Sequence, residues 1–137
     1  MVANQKQPIQ LLLKSFGFKY GLPPEVDFVF DVRCLPNPYW KPDLKELSGL
    51  DAAVIEYLER IPAAQFLLKD ISTFLETWVP YFESDNRERL TVAIGCTGGQ
   101  HRSVYMVESI AKKLRTTQYQ YPIQIYHQNL AQTALKS

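Results

Sequence analysis

The sequence predicts an α/β fold, one layered domain on a mainly parallel sheet, and three observations carry that expectation. Four apolar runs with strand character (Ile9 to Phe16, Phe28 to Val32, Leu90 to Ile94 and Pro122 to His127) are separated by stretches of helical periodicity. One of these runs passes through a glycine-containing turn directly into an amphipathic run, a strand–anion loop–helix unit. The 137 residues suit one domain over 1–137, with its core at about 9–130.

The elements follow in order. Ile9 to Phe16 reads as a strand, ended by Gly17 and the turn Gly21-Leu-Pro-Pro24. In Phe28 to Val32, Phe28, Phe30 and Val32 share one face, while Val29, Asp31 and Arg33 share the other. Leu35 to Pro42 is irregular, because three prolines remove donors and fix the chain. Its Asn37, Tyr39 and Trp40 suit a binding loop. Ser48 to Asp51 offers capping side chains ahead of a helix over Ala52 to Arg60, which Pro62 closes.

The longest helix spans Ala63 to Phe82, with Phe66, Leu67, Ile71, Phe74, Leu75 and Trp78 as its apolar stripe. Pro80 is expected to bend or end it. Ser84 to Arg89 is a polar connection into the Leu90 strand, where Leu90, Val92 and Ile94 alternate with Thr91 and Ala93. Val104, Val107, Ile110, Ala111 and Leu114 recur at helical spacing to about Thr116. After the last strand, the polar tail beyond Leu130 is expected to fray. The chain carries no internal repeat and no linker.

Gly95-Cys96-Thr97-Gly98-Gly99-Gln100-His101-Arg102-Ser103 is the most informative stretch. Such a turn points several backbone N–H groups at one spot, and the helix's first-turn donors and dipole add positive potential. Arg102 adds a planar fork of donors, which makes an anion cradle for a phosphate. An arginine paired with a nearby carboxylate, with glycines serving only as a tight turn, is the competing reading. His101 fits either a contact to the anion or a local helix-start contact, and Ser103 fits a brace from the first turn.

Open parallel sheets gather ligands at the carboxyl ends of their strands. Here those ends bring Ser15, then Asp31 and Arg33, then Cys96 to Ser103 to one edge. Asp31 and Arg33 form either an ion pair or ligand contacts, and Tyr39 and Trp40 either wall a sugar or pin the proline loop. The stripe Phe66, Phe74, Trp78 reads as core, and Lys112, Lys113 and Arg115 as a solvated helix face.

From Cys96 the loop also satisfies C-x-x-G-x-x-R-S, the phosphate loop of cysteine-dependent phosphatases. In that reading Cys96 attacks phosphorus, Arg102 holds the equatorial oxygens, and Asp85 or Asp31 is the acid. Against it, Gly95 stands where such enzymes usually carry His, and Cys96 fits equally a small buried strand residue.

The composition narrows the classes. A net charge of +1 gives no general attraction for nucleic acid or anionic membrane. Cys34 and Cys96 read as reduced thiols rather than a disulfide framework. The first eight residues lack a signal peptide's apolar core, and no apolar run reaches the ~20 residues of a membrane helix, so a cytoplasmic protein without membrane contact is expected. Two His and two Cys at no recurring ligand spacing imply no metal, no cofactor is indicated, and the G-x-x-x-x-G-K-[ST] pattern of NTPases is absent. Aromatic residues at Tyr119 and Tyr121, expected to be exposed, favour a homo-oligomer.

Ser15-Phe-Gly-Phe-Lys19, Asp31-Val-Arg33, Leu35-Pro-Asn-Pro38, Gly49-Leu-Asp51 and Gly95-Cys-Thr-Gly-Gly99 followed by His101-Arg-Ser-Val104 resemble the C-terminal domain of the RapZ (YvcJ-like) family. The resemblance runs from about residue 11 to 130. It implies a phosphofructokinase-like layout and a regulatory, ligand-sensing, non-enzymatic role. The implied ligand is an amino-sugar phosphate, glucosamine 6-phosphate, and enterobacterial members also bind small regulatory RNAs. Onto this chain the implied pocket maps as Asp31 and Arg33 near the sugar, with Thr97, Gly98, Gly99, His101 and Arg102 around the phosphate, and Gln100, Ser103 and Tyr39 complete the expected ligand-binding set. Enterobacterial members carry His at Tyr39, Lys at Gln100 and an Arg/Lys-rich tail, where this chain reads His127-Gln-Asn-Leu-Ala-Gln-Thr-Ala-Leu-Lys136. RNA binding draws on such charge, so the RNA role is the part of the resemblance this chain supports least. The family's N-terminal P-loop kinase-like domain is not represented, so its nucleotide binding is not carried over.

Overall fold

A computed structural model describes residues 7–130; residues 1–6 and the tail beyond Leu130, including its expected fraying, lie outside the described residues. In chain order the elements are β1 (Gln10–Gly17), β2 (Phe28–Asp31), α1 (Ala52–Glu59), α2 (Pro62–Ser84), β3 (Arg89–Cys96), α3 (Arg102–Arg115) and β4 (Ile123–His127). Single 3-10 turns follow β1 at Phe18–Tyr20 and occupy the proline loop at Pro38–Trp40. The sheet order is β2-β3-β1-β4, and every neighbouring pair is parallel. The expected layered α/β architecture is therefore present.

The hydrophobic pattern explains the layering. Leu11 and Leu13 of β1 and Val92 and Ile94 of β3 are fully buried against Met106, Val107, Ile110 and Leu114 of α3. α2 lies beside α3 and covers β2, where Phe74 meets Phe28 and Phe30 edge-on at 5.2 and 5.5 Å. Val54 and Leu58 of α1 join Leu44 and Tyr105 in a second cluster, which ties the irregular loop to α3. No helix among the described residues is long and apolar enough to cross a membrane.

Several local expectations are corrected. Phe66 is 68% exposed and Trp78 45%. The buried stripe of α2 is Ala64, Ile71, Leu75 and Val79, and Phe66 lies about 200° around the helix from Ala64. Trp78 packs on Tyr81, at 5.2 Å between rings, rather than in the core. Pro80 does not end α2, which continues to Ser84 because Val79 and Phe82 still pack on the core beneath the last turn. Pro62 opens α2 at its first position, where its missing N–H costs nothing. Asp51 is the N-cap residue of α1, yet its carboxylate accepts from the Ser48 N–H behind it at 2.7 Å. Tyr119 and Tyr121 are not exposed: they stack edge-on at 5.2 Å and pack on the main core.

The burial pattern separates two α2 variants. Leu75→Ala should lower the unfolding free energy by about 2–5 kcal/mol. Phe66→Ser should change it by less than about 0.5 kcal/mol. Urea denaturation of both proteins checks this.

Candidate functional site

Strand register brings the carboxyl ends of the sheet level. Gly17 is opposite Cys96, Asp31 opposite Gly95, and Ser15 opposite His127. Residues 97–101 then turn the chain from β3 into α3. The turn sits close against β1: a Cβ on Gly17 would lie 2.5 Å from the Gly98 carbonyl carbon, and one on Gly99 would lie 2.7 Å from the Gly17 nitrogen. Gly99 also has φ +70, so both steric space and backbone angle call for glycine there. Among the described residues, no protein acceptor takes the N–H groups of Gly98, Gly99, Gln100 or His101.

Arg102 forms the floor of a cavity of about 440 Å³ and is only 4% exposed. One terminal nitrogen donates to the carbonyls of Arg33 and Leu35, both at 3.0 Å, and the other reaches Thr97 Oγ1 at 3.4 Å. Its Nε is buried with no partner. No ion pair among the described residues includes Arg102. The carboxylate-paired reading of Arg102 therefore gives way to a buried cation held by main-chain carbonyls.

Its neighbours fix the loop. His101 donates from Nε2 to the Leu44 carbonyl at 2.9 Å, and burial holds its pKa below the ordinary 6.5, with the Arg102 charge acting in the same direction. Gln100 donates from Nε2 to the carbonyls of Lys45 and Leu47, at 3.1 and 2.6 Å. Ser103 is fully buried, and its hydroxyl and N–H meet Cys96 Sγ at 3.1 and 3.4 Å. It braces the loop from within, as its place in the first turn suggests.

Of the residues singled out from sequence, Tyr39, Thr97, Gly98, Gln100, His101 and Arg102 line the cavity, together with Cys96. Trp40, 76% exposed and edge-on to Tyr39 at 5.3 Å, joins the rim. Gly99 and Ser103 shape the loop without lining the cavity.

Asp31 and Arg33 are not part of its wall. They close a bidentate exposed ion pair on each other, at 2.7 and 2.9 Å, and the guanidinium also lies 3.9 Å over the Phe18 ring. Arg33's hydrogen bond holds the Asp31 carboxyl below its usual range. Asp85, the other acid considered for phosphatase chemistry, follows α2 ahead of β3 and so lies toward the amino edge of the sheet, opposite the cradle.

Asn37, expected in a binding loop, also lines the cavity, as do Lys19, Tyr20 and Glu46, which sequence reasoning did not name as site residues. Lys19 had a signal: it follows the Gly17 that abuts the loop, and its Cε lies 3.9 Å from a Cβ built on Gly98. Glu46 had none, being one acid in an irregular segment.

At the carboxyl end of β4, the Glu108 carboxylate accepts from His127 Nε2 at 2.7 Å, while His127 Nδ1 meets the Ser15 hydroxyl at 2.7 Å. Asn129 accepts from the Gly17 N–H at 2.8 Å. These contacts hold β4, α3 and the end of β1 as one support beneath the glycine turn.

A family model described as the RapZ C-terminal domain matches residues 9–131. A nucleotide-binding protein of Saccharophagus degradans is 51% identical over 115 residues, covering 84% of this chain and 40% of its own length. A nucleotide-binding protein of Pseudomonas putida is 51% identical over 128 residues, covering 93% of this chain and 44% of its own length. One from Hahella chejuensis is 46% identical over 132 residues, covering 96% and 46%. The chain thus spans less than half the length of these relatives.

The His101 environment sets a pH dependence. With the folded pKa below 6.5, the unfolded chain takes up this proton first as pH falls. The stability that neutral His101 contributes is full above pH 6.5 and erodes from there down to the folded pKa. His101→Asn lacks that titration. The difference in unfolding free energy between wild type and this variant should therefore narrow from pH 7.5 to pH 5.5, measured by chemical denaturation.

Proposed function

We propose, for a chain that belongs to the RapZ C-terminal domain family, a non-enzymatic regulatory domain that binds a phosphorylated small molecule, an amino-sugar phosphate such as glucosamine 6-phosphate. The observation that carries this reading is Arg102, a buried cation on a cavity floor that has, among the described residues, an unpartnered Nε and no carboxylate in ion-pair contact. Burying an uncompensated charge is costly, and a dianion beside it offsets that cost. The loop amides between β3 and α3 and the positive end of α3 act on the same spot. Tyr39 and Trp40 offer aromatic faces for the apolar side of a sugar. The relatives carry the name nucleotide-binding protein, but more than half of their length lies outside the match, and the NTPase loop pattern is absent here.

A cysteine-dependent phosphatase is the second reading, and the observation that favours it is Cys96 among the cavity-lining residues, with its Sγ accepting from the Ser103 N–H. Release of an aryl alcohol from an aryl phosphate, abolished in Cys96→Ser, would establish it over the first.

Calorimetric titration with glucosamine 6-phosphate, against inorganic phosphate as control, tests the leading reading. Saturable binding is expected, and Arg102→Lys, which keeps the charge but loses the fork, should weaken it roughly 10–100-fold. No heat for either compound at millimolar concentration rules the reading out.

A further inference from the structure

We propose that Glu46 is the specificity determinant of this cavity, selecting phosphate monoesters that carry an ammonium group over their neutral analogues; the proposal rests on the phosphate-binding reading above. Glu46 is the one carboxylate among the residues lining the cavity, whose other charged groups are Lys19 and Arg102. A carboxylate beside an anion site repels the anion, so alone it opposes the binding that the rest of the wall promotes. It becomes favourable when the ligand brings its own cation to that side.

The position of Glu46 is built rather than incidental. The carbonyls on either side of it, of Lys45 and Leu47, are the two acceptors of the Gln100 side chain. The Leu44 carbonyl, two residues before, accepts from His101. Two consecutive residues of the phosphate loop therefore hold the turn that carries Glu46, and Gln100 fixes the spacing between the anion cradle and the carboxylate.

The protein's own cations are engaged elsewhere. Lys45 Nζ lies over the Tyr39 ring at 4.8 Å, Lys41 Nζ over Tyr57 at 5.9 Å, and Lys19 Nζ over Tyr20 at 5.2 Å. None of the ion pairs among the described residues includes Glu46. A dipolar cavity results, with guanidinium and loop amides at the floor and a carboxylate on the wall. Its complement is a small molecule with a phosphate and an ammonium on opposite sides of a compact ring.

The test is calorimetric titration of wild type and Glu46→Gln with glucosamine 6-phosphate, glucose 6-phosphate and inorganic phosphate. Wild type should bind glucosamine 6-phosphate about two- to five-fold tighter than glucose 6-phosphate, the range for a solvent-accessible ion pair, and the ratio should shrink with added salt. Glu46→Gln should bring the ratio to about one in a crossed pattern: weaker binding of the amino sugar, equal or tighter binding of the other two. Equal affinities in wild type, an unchanged ratio in the variant, or equal weakening of all three ligands would each overturn the proposal while leaving phosphate binding intact. No binding of any of the three would remove the phosphate reading, and this proposal with it.

Discussion

A buried guanidinium with no carboxylate partner among the described residues is the constraint on which the site depends. Arg102 stands at the first position of α3, where the helix dipole already makes the surroundings positive. A cation there faces both desolvation and the dipole, so its presence has to be supported by neutral acceptors. The carbonyls of Arg33 and Leu35 supply that support from the segment after β2. They point oxygen at the guanidinium without cancelling its charge, which leaves a localised positive potential at the cavity floor.

That support also organises the irregular chain between residues 33 and 47. Three consecutive side chains, Gln100 and His101 of the turn and Arg102 at the start of α3, all donate to main-chain carbonyls of this segment. The segment satisfies part of its backbone through its own short turns, its three prolines remove donors, and the turn between β3 and α3 supplies further donors to its carbonyls. Packing of Leu44 with Val54, Leu58 and Tyr105 then ties it to α1 and α3. The rim residues Tyr39 and Trp40 and the carboxylate of Glu46 are carried on this anchored segment rather than on a detached loop.

Much of this was legible in the sequence where local chemistry decides the outcome. Strand character located all four strands, and the glycine turn ahead of a helical run located the passage from β3 into α3, because period and backbone freedom are properties of a few adjacent residues. What escaped depended on distant partners. The spacing of apolar residues in α2 admitted Phe66 and Trp78 to the core stripe, but only the position of β2 and α3 decides which face is covered. Asp31 and Arg33 were legible as either an ion pair or ligand contacts, and the structure takes the ion pair, because two residues of chain let Arg33 curl back. Gln100 was read as a phosphate contact, whereas its donor group meets carbonyls more than fifty residues away in sequence. Glu46 carried no signal, since its meaning comes only from the turn that Gln100 holds.

The division of labour within the loop follows from which groups the fold leaves unengaged. Ser103 is fully buried against Cys96, Gln100 and His101 give their side-chain donors to the carbonyls of Lys45, Leu47 and Leu44, and Gly99 packs on Gly17. Among the described residues, what the fold leaves without a protein acceptor is the N–H groups of the turn and the buried Arg102 Nε beside them. These are donors throughout, and most are main-chain groups fixed by the fold. Such a set suits holding a phosphate in one orientation, because little has to reorganise when the ligand arrives. Turnover would further ask for a proton donor at the leaving group. The two acids considered for that role lie elsewhere, Asp31 on Arg33 and Asp85 toward the other edge of the sheet. Among the described residues, the one carboxylate on the wall is Glu46, and the turn that carries it is held to the loop between β3 and α3 by Gln100, an arrangement in keeping with the charge-reading role proposed above.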